Sequence, residues 1–162
     1  MSGNKERSRR FAGAMEAFGA GPDISPSFLI KGFPWASLGA ATVVDLGGSN
    51  GAVSVAIAEG HHSLNFIVQD RSEVIQTAKK DGVPAHLEER IEFMAHDFLT
   101  PQPVTADVYL FRYIFHNWPD AYAIKILQQL VPALKPGASV LINDHLLPEP
   151  NTASLTMERE VR

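Results

Sequence analysis

Cysteine is absent from the 162 residues, so no disulfide frame and no thiolate metal site can hold this chain together. An intracellular, cytoplasmic setting is the expectation that goes with that absence. Basic residues are the minority, 14 Lys and Arg against 18 Asp and Glu, for a net charge of −4. Such a balance gives no long-range attraction to nucleic acid or to an anionic membrane, and neither is expected as a partner. No apolar run approaches membrane-spanning length, and the polar start from Met1 to Arg10 has no apolar stretch behind it, so it does not read as a secretory signal. The histidines fall in no convincing metal-ligand arrangement, and no metal is expected. Internal repeats and low-complexity linkers are lacking too. What remains, 45% hydrophobic and 20% charged, is ordinary composition for one globular domain with a sizeable core.

The most informative stretch is Thr42-Val43-Val44-Asp45-Leu46-Gly47-Gly48-Ser49-Asn50-Gly51. A β-branched run ending in an acid and a glycine cluster predicts a buried strand, a tight turn, and a helix capped by Ser49 or Asn50. Gly47, Gly48 and Gly51 allow positive φ and close backbone approach, and such a turn is expected to leave backbone N–H groups open to a nucleoside-like ligand. Upstream, Asn4 to Phe18 predicts an amphipathic helix whose apolar face, with Met15 and Phe18, packs on the domain or walls a substrate pocket. Ser25-Pro26 has the cap-then-proline form of a helix start, ending near Gly32. Downstream come strand patterns at Leu64–Asp70, Ile91–Ala95, Ala106–Phe111 and Ser139–Ile142. Helical segments lie between them, one from about Glu73 to Lys80 and one opened by Pro119 with a stripe of Ile124, Leu127, Val131 and Leu134. Strands alternating with helices predict an α/β fold, a Rossmann-like, doubly wound and mostly parallel sheet. Residues 1–40 are expected to form linker helices and 41–162 the ligand-binding domain.

In such sheets ligands lie outside the carboxyl ends of the strands. Here those ends offer Gly47 to Gly51, Asp70, Asp97, Arg112 to His116, and Asp144. An acid about twenty residues beyond the glycines suits a hydrogen bond to ribose hydroxyls and repels a ribose phosphate, which argues against NADP. NAD is a poor candidate because the glycine spacing is not G-x-G-x-x-G.

The D-x-G-G-x-x-G form resembles the S-adenosylmethionine-dependent methyltransferases instead. The segment Arg112-Tyr113-Ile114-Phe115-His116-Asn117-Trp118-Pro119-Asp120 resembles the H-[DN]-W-x-D segment of small-molecule O-methyltransferases, a family of plant caffeate and flavonoid enzymes and fungal secondary-metabolite enzymes. Val44–Gly48, Val68–Asp70, His96–Phe98 and Leu134–Gly137 extend the similarity in order over most of the chain. The resemblance implies the class I methyltransferase fold with five strands present and the family's last strands missing. It implies S-adenosyl-L-methionine as cofactor and S-adenosyl-L-homocysteine as product. By the same resemblance Asp45, Gly47, Gly48, Ser49 and Gly51 belong to the cofactor turn, Asp70 holds the ribose, Asp97 and Phe98 lie against adenine, and Arg112 is a basic cofactor contact. His116 matches the general base that takes the hydroxyl proton of a small aromatic or polyketide-like acceptor, and Asp144 the acid that orients it.

The chemistry suits those residue types on its own account. A phenol ionises near pH 10, an imidazole accepts its proton during attack, and an already activated methyl donor asks mainly for alignment. His61, His62, His86 and His96 read as structural or surface residues, and Trp118 as packing. The family also carries an N-terminal dimerisation domain and elements beyond the fifth strand, so a truncated chain is expected, as a homodimer or associated with the missing segments. Two other readings go with that: a cofactor-binding or assembly fragment without methylation, and a methyltransferase-fold enzyme of non-methyl, pericyclic type.

Overall fold

The computed structural model describes residues 25–144, and the helix expected over Asn4–Phe18, with Met15 and Phe18, lies outside them. The chain divides into two compact units on either side of Ser37. In the first, helix α1 (Pro26–Gly32) starts as expected: Pro26 stands in its first turn and the Ser25 hydroxyl accepts from Ser27 N–H at 3.2 Å. Trp35 is buried, packs edge-on to Phe33 at 4.7 Å, and donates its indole N–H to the Leu29 carbonyl at 3.2 Å.

The second unit is a five-stranded sheet, β1 (Ala41–Leu46), β2 (Leu64–Asp70), β3 (Ile91–Ala95), β4 (Val108–Arg112) and β5 (Ser139–Asn143). The spatial order is β3-β2-β1-β4-β5 and every pairing is parallel. Helices α2 (Ala52–Gly60), α3 (Ser72–Asp81) and α4 (Asp120–Leu130) supply the crossovers. The order reverses beside β1, and that switch point opens the crevice for a ligand. β1 is buried along nearly its whole length because both faces are covered. Ser54 of α2 reaches Asp45 on one face, while Ile126 and Leu130 of α4 pack with Val44, Tyr109 and Phe111 on the other.

Three expectations need correction. The stripe of α4 that faces the core is Ile126, Leu130 and, in the following 3-10 turn Val131–Ala133, Ala133; Leu127 packs beside it. Ile124 and Val131 are more than half exposed and Leu134 is 40% exposed. Both sets repeat at helical spacing, and the periodicity alone does not choose between them. Contact with Phe111 and Tyr109 does. The second correction is the start of α2. Its N-cap position is Gly51, in the left-handed region at φ +77°, and Ser49 makes no side-chain cap. Of the two residues expected to cap, Asn50 is the one that bonds the helix start, its Oδ1 accepting from Ala52 N–H at 3.2 Å. The fourth strand also begins at Val108, since Ala106 gives its N–H to the Tyr109 hydroxyl rather than to a strand.

Candidate active site

Register explains how four polar side chains meet. Val68 stands opposite Asp45, Leu110 opposite Asp45, and Asn143 opposite Arg112. Because side chains alternate along a strand, Asp45, Asp70, Arg112 and Asn143 all project to one face at the carboxyl ends. Arg112 Nε donates to Asn143 Oδ1 at 3.0 Å, and its guanidinium lies over the Tyr113 ring, 4.5 Å from the centroid. Burial pulls the Arg112 pKa down from its ordinary value, opposed by Tyr113 and Asp45. Asp45 is itself buried and takes a 2.7 Å hydrogen bond from the Ser54 hydroxyl. Desolvation raises its pKa to about 6, against the lowering influence of Ser54 and Arg112; nearby Asp70 adds to the rise.

The glycine turn differs from the expected open cradle. Gly47 and Gly48 N–H both donate to the Gln69 carbonyl, at 2.8 and 3.1 Å. Ser49 N–H donates to Asp70 Oδ2 at 3.0 Å, and Gly51 N–H to the Gly48 carbonyl at 2.9 Å. These donors are engaged within the chain, so the turn contributes shape more than anion-binding groups. The shape is tight. A Cβ on Gly48 would sit 2.7 Å from Asp45 Cγ and 2.8 Å from Val68 Cγ1, while Gly47, at φ +74°, has Ile114 packed against it. Ile114 thereby joins the glycine turn to the segment that carries His116.

Asp70 sits at the carboxyl end of β2 as read from the sequence. Its Oδ1 accepts from Arg71 N–H at 2.7 Å while Oδ2 holds Ser49, and each oxygen keeps a further lone-pair direction. Asp97 is exposed and closes a turn, its Oδ1 accepting from Leu99 N–H at 2.9 Å. Phe98 is half-buried and packs edge-on against Trp118 at 5.6 Å, and Trp118 meets the Tyr122 ring at a tilt of 43°. His96, beside Asp97, is half-buried, its Nε2 is buried without a hydrogen-bond partner among the described residues, and desolvation lowers its pKa. His86 pairs with Glu59 on the surface at 2.9 Å.

His116 and Asp144 come together across 28 residues. His116 Nδ1 lies 2.7 Å from Asp144 Oδ1, and His116 N–H donates to Oδ2 at 3.2 Å. The Asp144 side chain is 15% exposed and the imidazole 36%, so the carboxylate is shielded while the ring stays open to a reactant. On its other nitrogen, Nε2 lies 2.9 Å from Asn117 Nδ2. Tyr113 precedes the 3-10 turn Phe115–Asn117 with φ +53°, and its ring meets His116 edge-on at 6.0 Å. A non-glycine residue held there stores roughly 1–3 kcal/mol of backbone strain. The ladder explains it: Tyr113 N–H continues the pairing with β5 by donating to the Asn143 carbonyl at 2.9 Å, and the chain must then turn sharply.

Sequence reading missed Ser54, Asn143, Tyr113 and Asn117 as members of this site. Ser54 and Asn143 carried no signal, being identified only by contact. Tyr113 and Asn117 lay inside the quoted motif, but their roles depend on backbone turns. A broad open groove at the other end of the sheet, lined by Thr42, Asn65 and Arg90 among others, holds none of these residues.

Residues 27–160 match the O-methyltransferase domain family. The chain belongs to that family. It is 52% identical over 163 residues to the grayanic acid biosynthesis cluster O-methyltransferase of Cladonia grayi, covering all of this chain and 36% of that protein. Among solved structures, the apo form of the S-adenosylmethionine-dependent methyltransferase SibL superposes with a TM-score of 0.78 at 27% identity, over 99% of this chain and 45% of that one. CalO1, a methyltransferase of calicheamicin biosynthesis in its SAH-bound form, gives 0.74 at 26% identity, over 98% of this chain and 45% of that one. This O-methyltransferase-domain chain thus spans little more than a third of the length of that Cladonia grayi relative. Its five parallel strands and flanking helices match those neighbours' architecture.

Proposed function

We propose that this chain carries the cofactor site and base of an S-adenosylmethionine-dependent O-methyltransferase acting on a hydroxyl of a small aromatic or polyketide-like metabolite. The observation that carries the reading is the 2.7 Å His116–Asp144 pair, which stands beyond β4 and β5, with His116 on the segment whose Ile114 packs against Gly47 of the glycine turn. The residues fit the cofactor by charge. The N–H groups of Gly47, Gly48, Ser49 and Gly51 are engaged within the chain and Asp45 and Asp70 lie beneath the turn, an arrangement unsuited to a pyrophosphate and suited to a cationic ligand with ribose hydroxyls. Asp70 would hold the ribose, Gly47 to Gly51 the amino-acid portion, and Phe98 the adenine. When bound, S-adenosylmethionine supplies an electrophilic methyl on a positive sulfonium. The SAH-bound form of CalO1 and the biosynthetic role in the Cladonia grayi relative's name support cofactor and substrate class.

His116 does the proton work. Asp144 can only accept, so the neutral ring carries its proton on Nδ1 and presents the Nε2 lone pair. That nitrogen takes the acceptor hydroxyl proton as the oxygen becomes nucleophilic, and Asp144 stabilises the imidazolium that results. Calorimetry of the chain with S-adenosylmethionine is the first test; a folded sample that binds none contradicts the cofactor assignment. In a sample that turns over, His116→Ala is expected to lower kcat by roughly 100-fold or more with cofactor affinity unchanged. Unaltered turnover removes His116 from the mechanism. Stoichiometric S-adenosylhomocysteine release distinguishes methylation from a rearrangement on the same fold.

A further inference from the structure

We propose that Asn117 is a positioning residue for this base: its amide donates to His116 Nε2 and keeps the resting imidazole neutral until an acceptor hydroxyl takes the amide's place. The inference rests on reading His116 as the base, and it follows from a directional chain of hydrogen bonds. Nδ1 faces the Asp144 carboxylate at 2.7 Å and must donate, so Nε2 of the neutral ring must accept. The atom 2.9 Å from it is Asn117 Nδ2, which also points to the Tyr113 carbonyl at 3.4 Å. The Tyr113 carbonyl can only accept, which sets the amide with its NH2 toward that oxygen and hence toward Nε2. The left-handed turn at Tyr113 is what brings its carbonyl to that place.

The consequence is electrostatic. An imidazolium carries a proton on Nε2 and would meet the amide donor to donor, so Asn117 opposes resting protonation while Asp144 favours it. Among the described residues, the other groups facing the ring are the Tyr113 phenol, edge-on at 6.0 Å, and, across that ring, the Arg112 guanidinium. An acid at position 117 reverses the sign, because a carboxylate accepts from Nε2–H and brackets the ring between two negative groups.

An NMR titration of the His116 ring in the full chain reads this without substrate, with the signal assigned by its loss in His116→Gln. Asn117→Asp is expected to raise the titration midpoint by about one pH unit or more, and Asn117→Ala to raise it by less. The acid limb of the kcat/KM profile should move with it. Midpoints in both folded variants that match the unsubstituted chain overturn the proposal. If Asn117→Asp does not fold, the Asn117→Ala titration alone decides. A chain that shows the shift yet never turns over contradicts the methyltransferase reading, not the hydrogen bond.

Discussion

Asp45 is a side chain whose ionised form works against the fold. Its pKa rises from 3.8 to about 6 because burial strips its hydration, with only Ser54 and Arg112 in partial compensation. Between those values the folded chain holds a proton that the unfolded chain has released, so stability falls as pH rises from about 4 to about 6 and levels off above. The difference corresponds to about 3 kcal/mol. Asp45→Asn, which removes the charge, is expected to flatten that part of the profile in urea unfolding measured from pH 4 to 7. A slope equal to that of the unsubstituted chain would show that Asp45 is ionised at no penalty. An acid retained at such a position, beneath the glycine turn and facing Arg112, makes sense as part of a site for a cationic ligand. Its presence at the end of β1 was legible in the sequence; its desolvation was not, since that depends on α2 closing over it.

At the level of elements, α4 separates what periodicity carries from what packing carries. Ile126 is 1% exposed against Phe111 and Tyr109, whereas Ile124 is 56% exposed. Ile126→Ala should destabilise by about 2–5 kcal/mol, through lost burial and the cavity left behind. Ile124→Ala should stay within about 0.5 kcal/mol. Equal losses in chemical denaturation would reverse the assignment of the buried face. The strand patterns at Leu64–Asp70 and Ile91–Ala95 match β2 and β3 to the residue, because pattern and punctuation there are local. The fourth strand's start was displaced by Tyr109, whose hydroxyl takes the Ala106 N–H and lies 2.8 Å from both the Val104 and Ala133 carbonyls. No local rule announces a tyrosine that ties a loop to a distant turn.

For the whole molecule, the sheet's amino ends and carboxyl ends do different work. At the amino ends Asp107 takes the Thr42 N–H at 2.9 Å and pairs with Lys135 at 2.6 Å, which bolts β1, β4 and the approach to β5 together. Lys135 and the Thr42 hydrogen bond hold the Asp107 pKa below its ordinary 3.8, so the stability it adds is present above that value and is lost as pH falls through the lowered one. At the carboxyl ends the polar groups converge where the cofactor is proposed to bind. A ligand that binds only the folded chain stabilises it by mass action, about 2.7 kcal/mol at one hundred times Kd. S-adenosylmethionine and S-adenosylhomocysteine should each raise Tm, and Asp70→Asn should reduce the shift without comparable loss of the unliganded Tm. A thermal scan in which neither ligand moves Tm at saturating concentration speaks against the cofactor site.

The sequence by itself determined the alternation of strands and helices, the parallel sheet that follows from it, and the family, because each depends on residues near one another in the chain. Tertiary structure decided the rest: which face of α4 is buried, that the glycine turn's donors are engaged by Gln69 and Asp70, and that Asp144 turns toward His116. Those outcomes depend on register between distant strands and on which hydrogen-bond partner arrives first at each polar group, and neither is written in local spacing.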